Sequence, residues 1–272
     1  MSPRDSSNPP PEGWYREVAP PPALADCVLW FWEMRIPALA APTRVRIMPN
    51  ACIDIVLYAS ETSRGEGAAA IVAPPHRSFV VGSTMRSFIA WSSGWRHVIG
   101  VSLRPEGVQP VLGVPAAVIG ESIALLHDIV GAESARIEER VIDGPADGAL
   151  RRFAEVLLER RRRTADPDAT TGRAVHLVHA ARGRARIDAI TAGLNVTPRK
   201  LERHFMAHVG MSPKTFSRLV RFDRAVRDLG RRGATPWSQF ALAHGYADQA
   251  HFINEFREFA GVTPAEFERE NA

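Results

Sequence analysis

The sequence predicts an α+β protein of two domains. An antiparallel β-barrel domain with a helical appendage comes first, and an all-α domain with two helix-turn-helix units follows. Three observations predict it. Short β-branched and aromatic runs, separated by Gly, Pro and Ser, fill residues 28–103. A helical apolar stripe lies near residue 150, and residues 173–272 contain an internal repeat of helix starts and apolar spacings. With 272 residues, 45% hydrophobic and 24% charged, the chain has the composition and length for two folded cores and not for a disordered or fibrous protein.

The first twelve residues, MSPRDSSNPPPE, are polar and proline-rich, and read as a disordered tail without the apolar segment of a secretory signal. Strands are expected at Val28–Met34 (VLWFWEM), Val45–Ile47, Ile53–Tyr58 (IDIVLY), Ala70–Val72, Ser78–Val81, Phe88–Trp91 and His97–Leu103, with a turn at Pro49–Asn50. From Gly120 the character turns helical. Leu150, Phe153, Ala154, Leu157 and Leu158 recur at helical spacing, a stripe that must pack on something. The arginines from Arg160 to Arg163 end that helix, where positive charge suits the dipole. The polar TADPDATTG that follows reads as a linker, so that residues 13–163 form the first domain, 164–172 the connection and 173–272 the second domain.

Four of the six tryptophans, Trp30, Trp32, Trp91 and Trp95, fall in the β-rich part. Indole rings fill cores and line pockets alike. They are candidate small-molecule contacts, as are Asp54, inside an apolar strand, and Arg104, just beyond one. Asp54 and Arg104 are equally readable as solvent-facing or locally paired. His76, His97 and His127 are far apart and form no His-x-His pair, so no metal is expected. No phosphate-cradling glycine loop, GxSxG elbow or HExxH is present, so neither a cofactor nor catalytic residues are expected. Cys27 and Cys52 are too few for a disulfide framework or a cysteine-rich zinc site; they fit a reducing cytoplasm and read as ordinary buried residues. No apolar run approaches the roughly 18 residues of a membrane span.

The net charge of +4 divides unevenly. Residues 1–172 carry 18 Lys and Arg against 20 Asp and Glu, a net −2, whereas residues 173–272 carry 16 against 10, a net +6. A basic segment joined to a slightly acidic one suits a nucleic-acid-binding unit attached to something else, as well as a surface of scattered arginines.

The basic part is the more informative. Thr197-Pro198, Ser212-Pro213, Thr235-Pro236 and Thr263-Pro264 each read as a hydroxyl N-cap followed by proline at the first helical position, and Thr263-Pro264-Ala265-Glu266 has the capping-box pattern. Leu201, Phe205, Gly210, Ser212, Pro213 and Phe216 recur 51 residues later as Phe252, Phe256, Gly261, Thr263, Pro264 and Phe267. A short apolar helix precedes each copy: Ile187–Leu194 with Asn195 at its turn, and Trp237–His244 with Gly245. Asn and Gly best tolerate the left-handed backbone of a sharp interhelical turn. Two helix-turn-helix units result, joined by one helix from Ser212 to about Gly230. At 1.5 Å per residue that helix spans about 27 Å, close to one turn of B-DNA. On the first recognition helix Leu201 and Phe205 face inward and Arg199, Glu202 and Arg203 outward. On the second, Phe252 and Phe256 face inward and Gln249, Ile253 and Asn254 outward. Arg218, Arg221, Arg224 and Arg227 on the connecting helix cannot share one face, and pairing with Asp223 and Asp228 is expected.

Residues from about 172 to 270 resemble the AraC/XylS-type DNA-binding domain. The resemblance is carried by NVTPRKLERHFMAHVGMSPKTFSRLVRFDRA and by GYADQAHFINEFREFAGVTPAEF, with its Gly-Tyr, cap, aromatic spacing and G-x-[ST]-P. MPNACIDIVLY and VSLRPEGVQPVLGVP are similar to a cupin-like effector domain found in some regulators of that family. The resemblance implies base reading by Arg199, Glu202, Arg203, Gln249, Ile253 and Asn254. Arginine or Gln/Asn would bond guanine or adenine, Glu202 cytosine N4, and Ile253 a thymine methyl. Three departures stand out: Thr191 where the family usually has alanine, Asn195 in place of the turn glycine, and Asn254 where many members carry arginine. The expected protein is a cytoplasmic transcription regulator and not an enzyme. It would bind double-stranded DNA in two successive major grooves under small-molecule control, as a homodimer, and contact RNA polymerase if it activates. The alternatives are a barrel enzyme fused to a DNA-binding domain, or a first domain that only dimerises.

Overall fold

Alternating side chains in the first part of the chain build a sheet with one strongly apolar face, and a computed structural model describes it. The described residues are 14–35, 43–59, 77–92, 97–145, 147–161 and 168–270. They divide into two units. One takes the described residues of 14–45, 52–82 and 89–161, and the other takes 46–51, 83–88 and 168–270. The expected tail and the strand expected at Ala70–Val72 lie outside the described residues.

The first unit contains β1 (Trp14–Val18), β2 (Val28–Arg35), β4 (Ile53–Tyr58), β5 (Ser78–Val81), β7 (His97–Leu103) and β8 (Ile123–Leu125); β3 (Thr43–Ile47) and β6 (Phe88–Ser92) form a separate two-stranded ladder that straddles the division, with 46–47 and 88 assigned to the other unit. The main sheet has the order β1-β2-β7-β4-β5-β8 and is antiparallel at every pairing. β1 and β8 extend the sequence expectation. Ile123–Leu125 lies in a stretch whose apolar content reads as helical, yet it pairs with Phe79–Val81 as an edge strand. Pairing with a neighbour overrides local pattern in so short a segment.

Phe31, Ile53, Ile55, Leu57, Ile99, Val101 and Leu103 lie at matched register positions and are all buried. Against them pack α1 (Val108–Leu112), α2 (Ala116–Ile119), α3 (Leu126–Val130), α4 (Glu133–Val141) and α5 (Ala149–Arg161). The helical stripe finds its partner here: Phe153 and Leu157 are fully buried, and the Phe153 ring meets Phe31 edge-on at 5.9 Å. α5 ends in arginines as expected. Arg160 donates from Nε to the Val111 carbonyl at 2.7 Å and pairs with Glu133, and Arg161 pairs with Asp26. Cys27 and Cys52 are buried thiols not joined in a disulfide, and desolvation pushes the Cys27 thiol up to about 12.

The second unit contains α6 (Ala169–Ala180), α7 (Ile187–Leu194), α8 (Pro198–His208), α9 (Pro213–Leu229), α10 (Trp237–Ala243), α11 (Gln249–Ala260) and α12 (Pro264–Glu270). Of the expected linker, 164–167 lie outside the described residues, Asp168 caps α6 and 169–172 form its first turn. An α+β protein with an antiparallel β part and a helical C-terminal part is therefore what the chain forms.

Candidate nucleic-acid interface

Three of the four expected hydroxyl caps are present. Thr197 Oγ1 accepts from Lys200 N at 3.2 Å, and Ser212 Oγ accepts from Thr215 N at 3.1 Å. At Thr263 the capping box closes in both directions, Glu266 N donating to Thr263 Oγ1 at 3.3 Å and Thr263 N to Glu266 Oε2 at 2.7 Å. The fourth is different. Pro236 itself is the N-cap of α10, without a side-chain cap, and Thr235 lies one residue outside the helix. Proline's fixed φ suits the cap as well as the first helical position, so the local pattern does not separate the two registers.

The two turns repeat one another in hydrogen bonding. Val196 N donates to Thr191 O at 3.0 Å, and Tyr246 N donates to Ala241 O at 3.0 Å. The intervening residues are left-handed, Asn195 with φ 53 and Gly245 with φ 80. Asn195 thus does the work of a turn glycine. Thr191 is buried and bonds its hydroxyl to Asp188 O at 2.9 Å, which satisfies its one polar atom.

On α8, Leu201 and Phe205 are fully buried, while Arg199, Glu202 and Arg203 are exposed on the opposite side, joined there by Met206. On α11, Phe252 and Phe256 are fully buried, and Gln249 and Asn254 are exposed. Ile253, expected outward, is half-buried and packs against the helical core. Arg257, three residues beyond Asn254, adds an exposed cation to that side of α11. Helical periodicity extended by one more turn finds it.

What holds α11 in place is a buried carboxylate. Glu255 is 4% exposed. Arg218 Nε donates to its Oε2 at 2.8 Å, and Arg221 Nη2 donates to both its oxygens at 2.9 Å. Arg218 also reaches Glu258 at 2.5 Å. The Arg221 guanidinium lies over the Tyr246 ring at 4.6 Å, and that of Arg218 over Phe259 at 5.1 Å. Phe222 of α9 stacks its ring within 5.2 Å of Phe256 and 5.0 Å of Phe259. His244, just after α10, bonds Asp228 Oδ2 at 3.2 Å. The connecting-helix arginines do pair with Asp223 and Asp228, Arg227 at 3.0 Å and Arg224 at 3.7 Å. Glu255 and Glu258 are the partners that sequence reasoning missed.

In the first unit, Trp30, Trp32 and Asp54 share one sheet face, opposite the apolar core. Trp30 and Asp54 both register with Ser102, and Trp32 with Gly100. Ser102 Oγ bonds Asp54 Oδ1, and Trp32 Nε1 approaches the same oxygen at 3.5 Å. The indole lies flat on the backbone: a Cβ at Gly100 would stand 2.2 Å from it, so only glycine fits there. Arg104 is not with them. It bonds Ala25 O at 3.1 Å at the start of a 3-10 turn, Pro105–Gly107. Trp91 lies in β6 without a described side chain, and Trp95 and His76 lie outside the described residues. His97 bonds Glu33 at 2.5 Å, and His127 bonds Ser134 at 3.3 Å.

The helix-turn-helix domain family matches residues 190–270, and residues 16–124 match a domain of unknown function, DUF6597. No curated protein matches the chain. Among solved structures it is similar to a transcriptional regulator with an AraC-type DNA-binding domain from Chromobacterium violaceum. Identity is 28% over 38% of this chain and 92% of that one, with a TM-score of 0.35. The C-terminal domain of AraT, a response regulator from Geobacillus stearothermophilus, is 23% identical over 38% and 86%, with a TM-score of 0.36. ToxT from Vibrio cholerae is 12% identical over 84% and 96%, with a TM-score of 0.45.

Proposed function

We propose that this chain, whose residues 190–270 are an AraC-type helix-turn-helix domain, is a sequence-specific transcription regulator that sets α8 and α11 into two successive major grooves. One observation carries the reading: two recognition helices, each with its apolar stripe buried and polar side chains exposed opposite, are fixed on one 17-residue helix. That helix is about 25 Å long, against roughly 34 Å for one B-DNA turn, and the ~10 Å diameter of the helices set at its ends is of the size of the difference. Arg199, Glu202 and Arg203 offer donors and an acceptor suited to G·C pairs, and Gln249 and Asn254 offer amides suited to adenine. Ile253, half-buried, contributes at most its outer methyl to a thymine.

The experiment is a titration of the full chain against DNA selected from random sequence, repeated at several salt concentrations. A specific complex whose affinity falls linearly in log–log form with salt is expected, and absence of any specific complex refutes the reading. Arg203→Ala should relax preference at one base position and cost about 1–3 kcal/mol there. An equal loss on every sequence would reassign Arg203 to phosphate.

Small-molecule control is supported by the face that carries Trp30, Trp32 and Asp54, a polar centre beneath indole rings. A metabolite library screened by thermal shift tests it; a stabilising compound is expected, with the effect lost in Asp54→Ala. If none stabilises, the first unit serves dimerisation alone. Among the described residues no helix is long and apolar enough to cross a membrane, and the reading places the protein with DNA in the cytoplasm, with RNA polymerase as a partner if it activates.

A further inference from the structure

α8 carries two histidines that the DNA-reading side of the helix does not use. His204 and His208 are one turn apart, both half-buried, with ring centroids 6.2 Å apart. At 100° per residue they lie about 100–180° around the helix from Arg199 and Arg203. His204 Nδ1 is 2.9 Å from Oδ1 of Asp168, the residue that caps α6. One ligand atom from each of Asp168, His204 and His208 lies within 4.8 Å of the other two.

A hydrogen bond between His204 and Asp168 accounts for two of these groups and leaves the third unexplained. The His208 imidazole makes no hydrogen bond among the described residues, although it is half-buried beside that pair. Asp168 is held by its own supports: Thr171 N donates to Oδ1 at 2.7 Å and the Thr171 hydroxyl at 2.8 Å. Such bonds orient a ligating carboxylate.

We propose that Asp168, His204 and His208 form a binding site for a divalent transition-metal ion of the zinc type, which pins the first recognition helix to the start of α6. Two imidazoles and a carboxylate are a donor set for zinc or cobalt, with a fourth position left to water. Donors on an ion at about 2.0–2.2 Å stand roughly 3.5 Å apart, a closing of little more than about 1 Å from their present separation of at most 4.8 Å, and it replaces the His204–Asp168 hydrogen bond with two metal bonds. The ion would lie away from the bases, so it would alter how firmly α8 is held without blocking DNA. This second consequence rests on α8 being a DNA-reading helix; the site itself does not.

Chelator-treated full-length protein titrated with Co²⁺ should show d–d bands at one ion per chain, with no thiolate charge-transfer band in the near ultraviolet. Zn²⁺ should displace the colour. His208→Gln removes a ligand with no hydrogen bond to lose, so it should keep the metal-free melting temperature while weakening the metal tenfold or more. Asp168→Asn, which keeps a capping side chain, should weaken it similarly. No binding, binding unchanged in both variants, or a thiolate band pointing to Cys27 or Cys52 would overturn the site. The selected DNA then separates the claims. Zn²⁺ should shift wild-type affinity for it and leave His208→Gln unmoved. Metal binding without that shift overturns the coupling, and no DNA binding at any metal level refutes the regulator reading while the site stands.

Discussion

Glu106 and Glu255 are both buried, and their surroundings differ. Glu255 has two guanidinium groups on it, whereas Glu106 Oε2 has no hydrogen-bond partner among the described residues. Desolvation pushes the Glu106 carboxyl up to about 8 from an ordinary 4.5. Between those values the folded chain keeps a proton that the unfolded chain has released, so this group's contribution is full below about 4.5 and is lost as pH rises toward 8. Glu106→Gln should flatten that part of the stability–pH profile measured by urea unfolding. Removing Glu255 leaves two arginines facing each other in a mostly dry site. Glu255→Ala should cost about 3 kcal/mol in the same assay, and more than Glu258→Ala, because Glu258 is itself exposed.

At the scale of elements, stability is set at helix ends. Thr197→Ala should lower stability by about 1 kcal/mol through loss of the cap of α8. Asn195→Ala should be worse than Asn195→Gly, because only the former puts a Cβ without a compensating side chain at φ 53. Thermal melts of the three variants give the ranking. These ends were legible in the sequence because a cap acts within three or four residues. The inward and outward faces of α8 were legible from a period of 3.6. Other features depend on residues far apart in the chain. Glu255 meets Arg218 across 37 positions and His204 meets Asp168 across 36, and no local pattern links them. Ile253 is half-buried because it stands at the edge of the apolar stripe, where packing and not periodicity decides burial. Strand β8 escaped because three residues carry no period at all.

The whole molecule couples two reading helices through α9, and that coupling has a length. If α8 and α11 read adjacent turns of one operator, five base pairs inserted between their contacts put them on opposite faces of the duplex and should abolish specific binding. Ten base pairs restore the face and double the distance, which a helix held by Glu255 cannot span, so that operator should fail as well. A flexible connection would recover binding at ten. Affinities for the three operators by fluorescence anisotropy distinguish the cases.

The arginines of α9 carry a further consequence. Arg218, Arg221, Arg224 and Arg227 are all matched by carboxylates of the same unit, and Arg232 is bound by both oxygens of Glu268. The formal +6 of the last hundred residues already subtracts those carboxylates, so its excess is carried by cations outside these pairs, Arg199, Lys200, Arg203 and Arg257 among them. On the proposed DNA-binding reading, the α9 arginines release few counterions, and the salt slope for arbitrary DNA reports the cations outside those pairs. On that reading α9 is a frame whose charges are matched within the unit, and discrimination between sequences is left to α8 and α11.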